Sequence, residues 1–275
     1  MKKTLQKIYS NTTKQAVNDM LKIYEKQWFV VSNFIYFSII KVQKLFESTK
    51  KTTIQKEYKK AIMKWDFLLP DGIALQIFYY LAQKQFNLST KKLSNLNWTD
   101  FVPYFLDELK KRYGSQRISL FLYGAKDNIV QETKKSLNYK WFNVVYIQNW
   151  YSEFDWNKFS KLKDNSSDQI SILLVAMSTP TNPIQELRTI KNYSKIKNNN
   201  LIVFTVWWLF DFLAAENKNS SIKKWTQKRA PKLIRKIKLE RLWRLVTDPK
   251  RNYQKVKNSF ALFPYIFKYL LLKKE

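Results

Sequence analysis

The sequence predicts an α/β fold: a Rossmann-like, largely parallel sheet covered by helices, with a basic helical appendage at the C-terminus. Segments rich in β-branched and aromatic residues alternate with segments whose apolar residues have helical spacing. Residues 118–123 are apolar almost throughout, as in parallel strands that are buried on both faces. With 275 residues, of which 45% are hydrophobic, the chain can bury the core of one large domain or two smaller ones.

The predicted strands and helices follow one another as in βαβ units. Strand character occurs in the segments 28–40, 66–69, 118–123, 144–147, 170–177 and 201–206. Helical character occurs in the segments 41–64, 73–85, 99–112, 127–137, 155–162 and 185–195. We expect Thr99 to cap its helix, with Pro103 near the first turn. This order predicts a core domain over residues 1–215 and a basic amphipathic appendage over residues 216–275.

Composition restricts the chemistry. Fifty Lys and Arg against twenty-one Asp and Glu give a formal net charge of +29, which attracts lipid headgroups, nucleic acids or phosphorylated substrates without choosing among them. The chain has no Cys and no His, which argues against disulfides, thiolate chemistry, Ser-His-Asp hydrolysis and the common zinc sites. We expect no metal site and no cofactor.

The turn at residues 68–76 presents one carboxylate, Asp71, between two apolar segments. Gly72 follows it and is one of only three glycines in the chain. A glycine at this point permits a positive φ or a close backbone approach. Two interpretations stay open from these residues: an ordinary Pro-Asp-Gly turn, or a carboxylate at the carboxyl end of a strand, where parallel sheets bind their ligands.

Five blocks form a collinear set of motifs along the chain. They are LLPDGI at 68–73, LFLYGAK at 120–126, FDFLA at 210–214, RAP at 229–231, and LERLWRL with DPKR within 239–251. In this order and at this spacing, the blocks resemble the WecG/TagA/CpsF family of bacterial glycosyltransferases. The resemblance extends from about residue 5 to about residue 256.

The resemblance implies a hexosyltransferase that moves a sugar from a nucleotide-diphosphate donor, expected to be a UDP-sugar, to a polyprenyl-diphosphate-linked acceptor. The setting would be cell-wall or surface-polysaccharide synthesis, with inversion and without a metal held by an Asp-x-Asp motif. Asp71 matches the proposed base, and a carboxylate is also what a chain without imidazole must use. Arg244 is the second catalytic candidate, because Arg binds a diphosphate through a planar fork.

Further positions are implied as substrate contacts. They are Lys41, Gly72, Gln76, Gly124, Lys126, Thr179, Gln185, Glu186, Asp211, Arg229, Arg241 and Arg251. Asp211 has two interpretations, since a carboxylate between two Phe residues can equally satisfy backbone donors for structural reasons.

Several positions depart from the family pattern. Ile39 and Lys41 stand where the pattern has Thr and Asn, while Ser178, Trp207 and Asn149 stand at glycine positions. Glycines let backbone amides approach phosphate, so these side chains reshape or fill the donor pocket. A second hypothesis is therefore a catalytically lapsed member that acts as partner or regulatory subunit of an active glycosyltransferase.

The last part of the chain is strongly basic. Residues 218–256 carry fourteen Lys or Arg against Glu240 and Asp248, and apolar residues recur there at helical spacing. This helix either packs on the core or lies on an anionic membrane surface. The aromatic and leucine-rich segment 260–274 has the same two interpretations, with packing on a partner as a third.

The expected location is cytoplasmic, peripheral at the inner face of the cell membrane. The N-terminus lacks an apolar signal core, and no apolar run approaches the ~20 residues of a spanning helix. Expected partners are the nucleotide sugar, the lipid-linked acceptor, the membrane, and either a second copy or a partner glycosyltransferase. Nucleic-acid binding has only charge and aromatic content in its favour, and we do not expect it.

Overall fold

The computed structural model describes residues 2–36, 63–89, 91–165, 168–177, 200–206 and 208–216, with positions 230, 231, 233, 234, 243, 246, 247 and 249. Six strands occur in this part of the chain: β1 (Phe29–Tyr36), β2 (Phe67–Asp71), β3 (Ile118–Gly124), β4 (Asn143–Gln148), β5 (Ile170–Ala176) and β6 (Leu201–Thr205). They form one sheet in the order β2-β1-β6-β5-β3-β4. All neighbouring pairs are parallel.

Seven helices accompany these strands in the described segments. They are α1 (Lys2–Lys7), α2 (Thr13–Gln27), α3 (Ile73–Phe86), α4 (Trp98–Tyr113), α5 (Asp127–Tyr139), α6 (Trp156–Asp164) and α7 (Leu209–Glu216). A short 3₁₀ turn, Ser115–Arg117, leads from α4 into β3. The sequence prediction of an α/β fold with a parallel sheet is therefore confirmed.

The helices cover the sheet on both faces and create two cores. One face packs against α2, α4, α5 and α7 through buried residues that include Met20, Phe105, Val130 and Phe210. The other face packs against α1, α3 and α6 through Leu5, Phe78 and Phe159. Strands β3, β5 and β6 are buried along their whole length, which explains their nearly continuous apolar sequences.

The carboxyl edge of the sheet is stepped. Asn33 of β1 pairs with Thr205, the last residue of β6, and with Leu68 of β2. From that level β1 and β2 continue together for three more residues, to the pair Tyr36 and Asp71. At about 3.3 Å per residue, this two-stranded extension projects about 10 Å beyond the end of β6.

Helix caps explain where several helices begin. The side chain of Thr12 accepts the amide of Gln15 at the start of α2, and Asp155 accepts the amide of Lys158 at the start of α6. Gly72 precedes α3 and has no side chain to cap it.

The prediction of Thr99 as the cap of α4 is wrong. Asn97 holds that position, and its Oδ1 accepts the amide of Asp100 at 3.0 Å. Thr99 lies within the first turn and donates its hydroxyl to the same Oδ1 at 2.5 Å. Asn and Thr are both favoured cap residues, so residue type does not choose between them. The hydrogen bond from the Asp100 amide to Asn97 does. The predicted helices at 41–64 and 185–195 lie outside the described residues, as does the predicted strand beyond Tyr36.

Candidate active site

The candidate site lies at the carboxyl edge of the sheet, where Asp71 ends β2. Its carboxylate is half-buried, and it belongs to the projecting end of the β1–β2 pair. The ends of β6, β5 and β3 lie at a lower level beside this projection. Asp71 therefore lies at the end of the projecting β1–β2 pair, above the level at which the central strands β6, β5 and β3 end.

The turn after Asp71 is held by the loop that precedes α4. The amide of Gly72 donates to Oδ1 of Asn95 at 2.7 Å, and the amide of Leu96 donates to the carbonyl of Pro70 at 2.7 Å. The backbone angle φ of Gly72 is 88°, a value that glycine adopts without strain. These bonds lie on either side of Asp71 and fix the backbone from which its carboxylate projects.

Gln76 contributes to the same arrangement. Its Nε2 donates to the carbonyl of Leu93 at 2.6 Å, one turn into α3. The structure thus brings together Asp71, Gly72 and Gln76 of the predicted site, and adds Asn95 and Leu93. In this contact the Gln76 amide positions the loop; substrate binding by Gln76 stays a prediction.

Gly124 lies elsewhere on the edge, at the end of β3. Asp71 and Gly124 are separated by β1, β6 and β5, so their strands lie about 19 Å apart at about 4.8 Å per strand. Gly124 is buried with φ +121, and a Cβ there would lie 2.2 Å from the carbonyl oxygen of Ala176. The close approach of β3 and β5 requires this glycine; its substrate contact stays a prediction.

Lys126 is exposed and precedes α5. Its carbonyl accepts the amides of Ile129 and Val130 at 3.0 Å, while its side chain makes no capping bond. Next to it lies Asn149, which the resemblance aligns with a glycine and which has no positive φ. The Asn149 side chain accepts the amide of Tyr151 at 3.1 Å, so the amide side chain builds this turn itself.

A polar groove of about 590 Å³ lies beyond β4, at the margin of the sheet opposite to β2. Its lining includes three carboxylates, Asp127, Glu153 and Asp155, against one cation, Lys158. This excess of negative charge opposes binding of a diphosphate. The groove and Asp71 lie at opposite edges of the sheet and do not form one pocket.

Asp211 lies in the first turn of α7 and is half-buried. A carboxylate in a first turn interacts favourably with the helix dipole, and substrate contact by Asp211 stays a prediction. The following residue, Phe212, packs its ring against Trp98 at 5.5 Å between centroids. The start of α7 thereby contacts the start of α4, close to the loop that fixes Asp71.

A buried polar pair lies below the step and was missed in the sequence. Thr205 donates its hydroxyl to Oδ1 of Asn33, across β6 and β1. Nδ2 of Asn33 is buried without a hydrogen-bond partner. The two residues are 172 positions apart in sequence. The signal that could have revealed them is the polar residues in these mainly apolar strands, Ser32 and Asn33 in β1 and Thr205 at the end of β6.

Many predicted site residues lie outside the described part of the chain, and their roles stay predictions. They are Ile39, Lys41, Ser178, Thr179, Gln185, Glu186, Trp207, Arg229, Arg241, Arg244 and Arg251. Of the apolar residues at helical spacing within 218–256, Trp243 is half-buried and Val246 is 79% exposed. Ala230 of the RAP block is buried.

Among the residues that the structure describes, no helix is both long and apolar enough to cross a membrane. In the same residues, no three Asp or Glu side chains lie close enough together to hold a metal ion.

Comparison with known proteins gives the family. A model described as the glycosyl transferase WecG/TagA/CpsF family matches residues 7–275, nearly the whole chain. No curated protein matches the chain significantly. The family model covers every predicted motif block, including the turn at Asp71 and the basic C-terminal part. The chain belongs to the WecG/TagA/CpsF family, a glycosyltransferase family of cell-wall polysaccharide synthesis.

Proposed function

We propose that this protein transfers a hexosyl group from a UDP-sugar to a polyprenyl-diphosphate-linked acceptor, with inversion and with Asp71 as the base. The observation that carries this proposal is the place of Asp71. It ends a strand that projects beyond the central strands, and two hydrogen bonds fix the backbone on either side of it.

The chemistry needs one proton acceptor at the attacking hydroxyl. Asp71 takes the proton of the acceptor hydroxyl as its oxygen attacks the anomeric carbon from the face opposite to the nucleotide. The bond between that carbon and the diphosphate oxygen breaks, and its electron pair leaves with the nucleoside diphosphate. One glycosidic bond forms, one glycosyl–phosphate bond breaks, and the configuration inverts.

The leaving diphosphate needs positive charge or amide donors. We assign this role to Arg241, Arg244 and Arg251, which belong to the family-like C-terminal blocks. The acidic groove beyond β4 opposes a diphosphate, so we place the donor over the ends of β6, β5 and β3, toward Gly124 and Lys126.

The remaining positions follow from the family resemblance, and several of them lie between the motif blocks. We propose that Lys41, Gly72, Gln76, Thr179, Gln185, Glu186, Asp211 and Arg229 line the donor and acceptor sites. The acceptor is held by a lipid, so we propose that the protein works peripherally at the cytoplasmic face of the membrane. We also propose that residues 216–275 form a basic appendage that faces the membrane or the active site.

A nucleotide-sugar screen tests this function. The purified chain is titrated with UDP-sugars by calorimetry, and those that bind are assayed with a short-chain lipid-diphosphate acceptor. We expect saturable binding of at least one UDP-sugar and transfer of its sugar. If no UDP-sugar binds, the proposed transferase activity is contradicted. That result would favour the second hypothesis, a catalytically lapsed partner subunit, which the side chains at the expected glycine positions suggest.

A further inference from the structure

Helix α3 exposes an apolar strip that the transferase chemistry does not use. Ile77 is 44% exposed, Tyr80 is 70% exposed and Leu81 is 44% exposed. The opposite face of α3 is buried through Leu75, Phe78 and Ala82. A helix that is apolar on both faces normally has both faces covered, so the strip formed by Ile77, Tyr80 and Leu81 indicates a docking surface.

The charged residues of the segment that carries the strip are all of one sign. Between Asp71 and Asp100 the sequence has no acidic residue and three basic ones, Lys84, Lys91 and Lys92. All three lysines are exposed. Lys84 lies in the last turn of α3, and the loop that carries Lys91 returns to that helix, because Gln83 Nε2 donates to the carbonyls of Ser89 and Lys91.

We propose that the α3 strip and these lysines dock on an anionic lipid bilayer. Apolar side chains beside cations on a surface helix match an interface of acyl chains and anionic headgroups, and a Tyr suits that depth. A second copy of the chain fits less well, because each copy carries a net charge of +29 and the facing patches would repel.

The position of the strip relates membrane docking to catalysis at Asp71, and this step of the argument rests on the proposed function. Helix α3 begins directly after Asp71 and Gly72. With a rise of about 1.5 Å per residue, Ile77 lies about 6 Å and Leu81 about 12 Å along the helix axis from Ile73, the first residue of α3. A bilayer against the strip therefore brings lipid-linked diphosphates, which lie at headgroup depth, near the base.

Vesicle flotation of the full chain tests the proposal without donor or acceptor. The probe is phosphatidylcholine vesicles with and without phosphatidylglycerol. The double variant Tyr80→Ser/Leu81→Ser removes the apolar contact at unchanged charge, and we expect it to bind the anionic vesicles about tenfold more weakly than wild type. The matched control is Tyr139→Ser/Trp141→Ser, two exposed aromatics near the other end of the sheet, and we expect wild-type binding.

Three results would overturn the proposal. They are wild-type binding by the α3 double variant, an equal loss in both double variants, and a loss of self-association by the α3 variant with unchanged vesicle binding. Circular dichroism and thermal melting establish that each variant is folded. Vesicle flotation measures no sugar transfer. A failure of the docking proposal can therefore be told apart from a failure of the proposed transferase function.

Discussion

The amide of Gly72 donates a 2.7 Å hydrogen bond to Oδ1 of Asn95, and this bond ties the turn after Asp71 to the loop before α4. Gly72 has no side chain to accept an amide from the first turn of α3, and the Asn95 side chain binds the amide of Gly72 itself. The position of the proposed base therefore depends on Asn95, which is 23 positions from Gly72 in sequence.

Asn95→Ala tests that dependence. Loss of the Oδ1 acceptor releases the turn, and we expect the transfer rate to fall about 10- to 100-fold because small misplacements of reacting groups are costly. The free energy of unfolding should fall by only about 1 kcal/mol. Steady-state kinetics and urea unfolding measure the two effects, with Asn157→Ala on the exposed start of α6 as the control. A normal rate in Asn95→Ala would contradict the positioning role.

Gly124→Ala tests why β3 ends in glycine. The new Cβ would meet the Ala176 carbonyl oxygen at 2.2 Å at a φ of +121, so we expect unfolding free energy to fall by about 3 kcal/mol or more. Gly114→Ala is the matched control: its φ is +81, but the nearest atom is Oε1 of flexible Gln116 at 3.1 Å, and about 1 to 2 kcal/mol should be lost. Equal losses in urea unfolding would show that close packing is not the cause.

Thr133→Val tests the link between α5 and α7. The buried Thr133 hydroxyl donates to the carbonyls of Ile129 at 2.8 Å and Phe210 at 3.0 Å. Valine keeps the shape and removes the donor, so we expect a loss of about 1 to 2 kcal/mol. The same change at exposed Thr247 should cost less than about 0.5 kcal/mol. Wild-type stability of Thr133→Val in chemical denaturation would refute the link.

The raised pKa of Tyr113 predicts that stability depends on pH in the alkaline range. Burial, and then its 2.7 Å hydrogen bond to Glu25, raise the pKa of Tyr113 from 10.0 to about 12. A raised pKa stabilises the folded state below the unfolded pKa, and that stability is lost as the pH rises through the folded value. We expect the stability difference between wild type and Tyr113→Phe to be constant below pH ~10 and to shrink toward pH ~12. A difference that stays constant across this range would contradict the shift.

The sequence predicted much of the fold because its signals are local. The apolar run of β3 and the periodicity of α3 each occupy one segment, and the observed elements match the predictions within a few residues. The position of Asp71 at a strand end was one of the two interpretations that Pro70 and Gly72 left open.

The remaining features depend on distant contacts. The stepped edge follows from strand order and register, in particular from Asn33 pairing with Thr205. Asn95 and its bond to Gly72 belong to different segments, and no local pattern indicates their approach. Similarly, Gly124 suggested a ligand site in sequence, whereas the contact with Ala176 that requires a glycine is visible only in three dimensions.

The central claim is that Asp71 is the base, and the single-turnover rate of Asp71→Asn tests it most directly. The measurement uses enzyme saturated with a bound UDP-sugar and a short-chain lipid-diphosphate acceptor, with Asp107→Asn on the exposed side of α4 as the control. We predict a rate about 10²- to 10⁴-fold below wild type at unchanged donor affinity, and a wild-type rate in the control. A wild-type rate in Asp71→Asn would contradict the account.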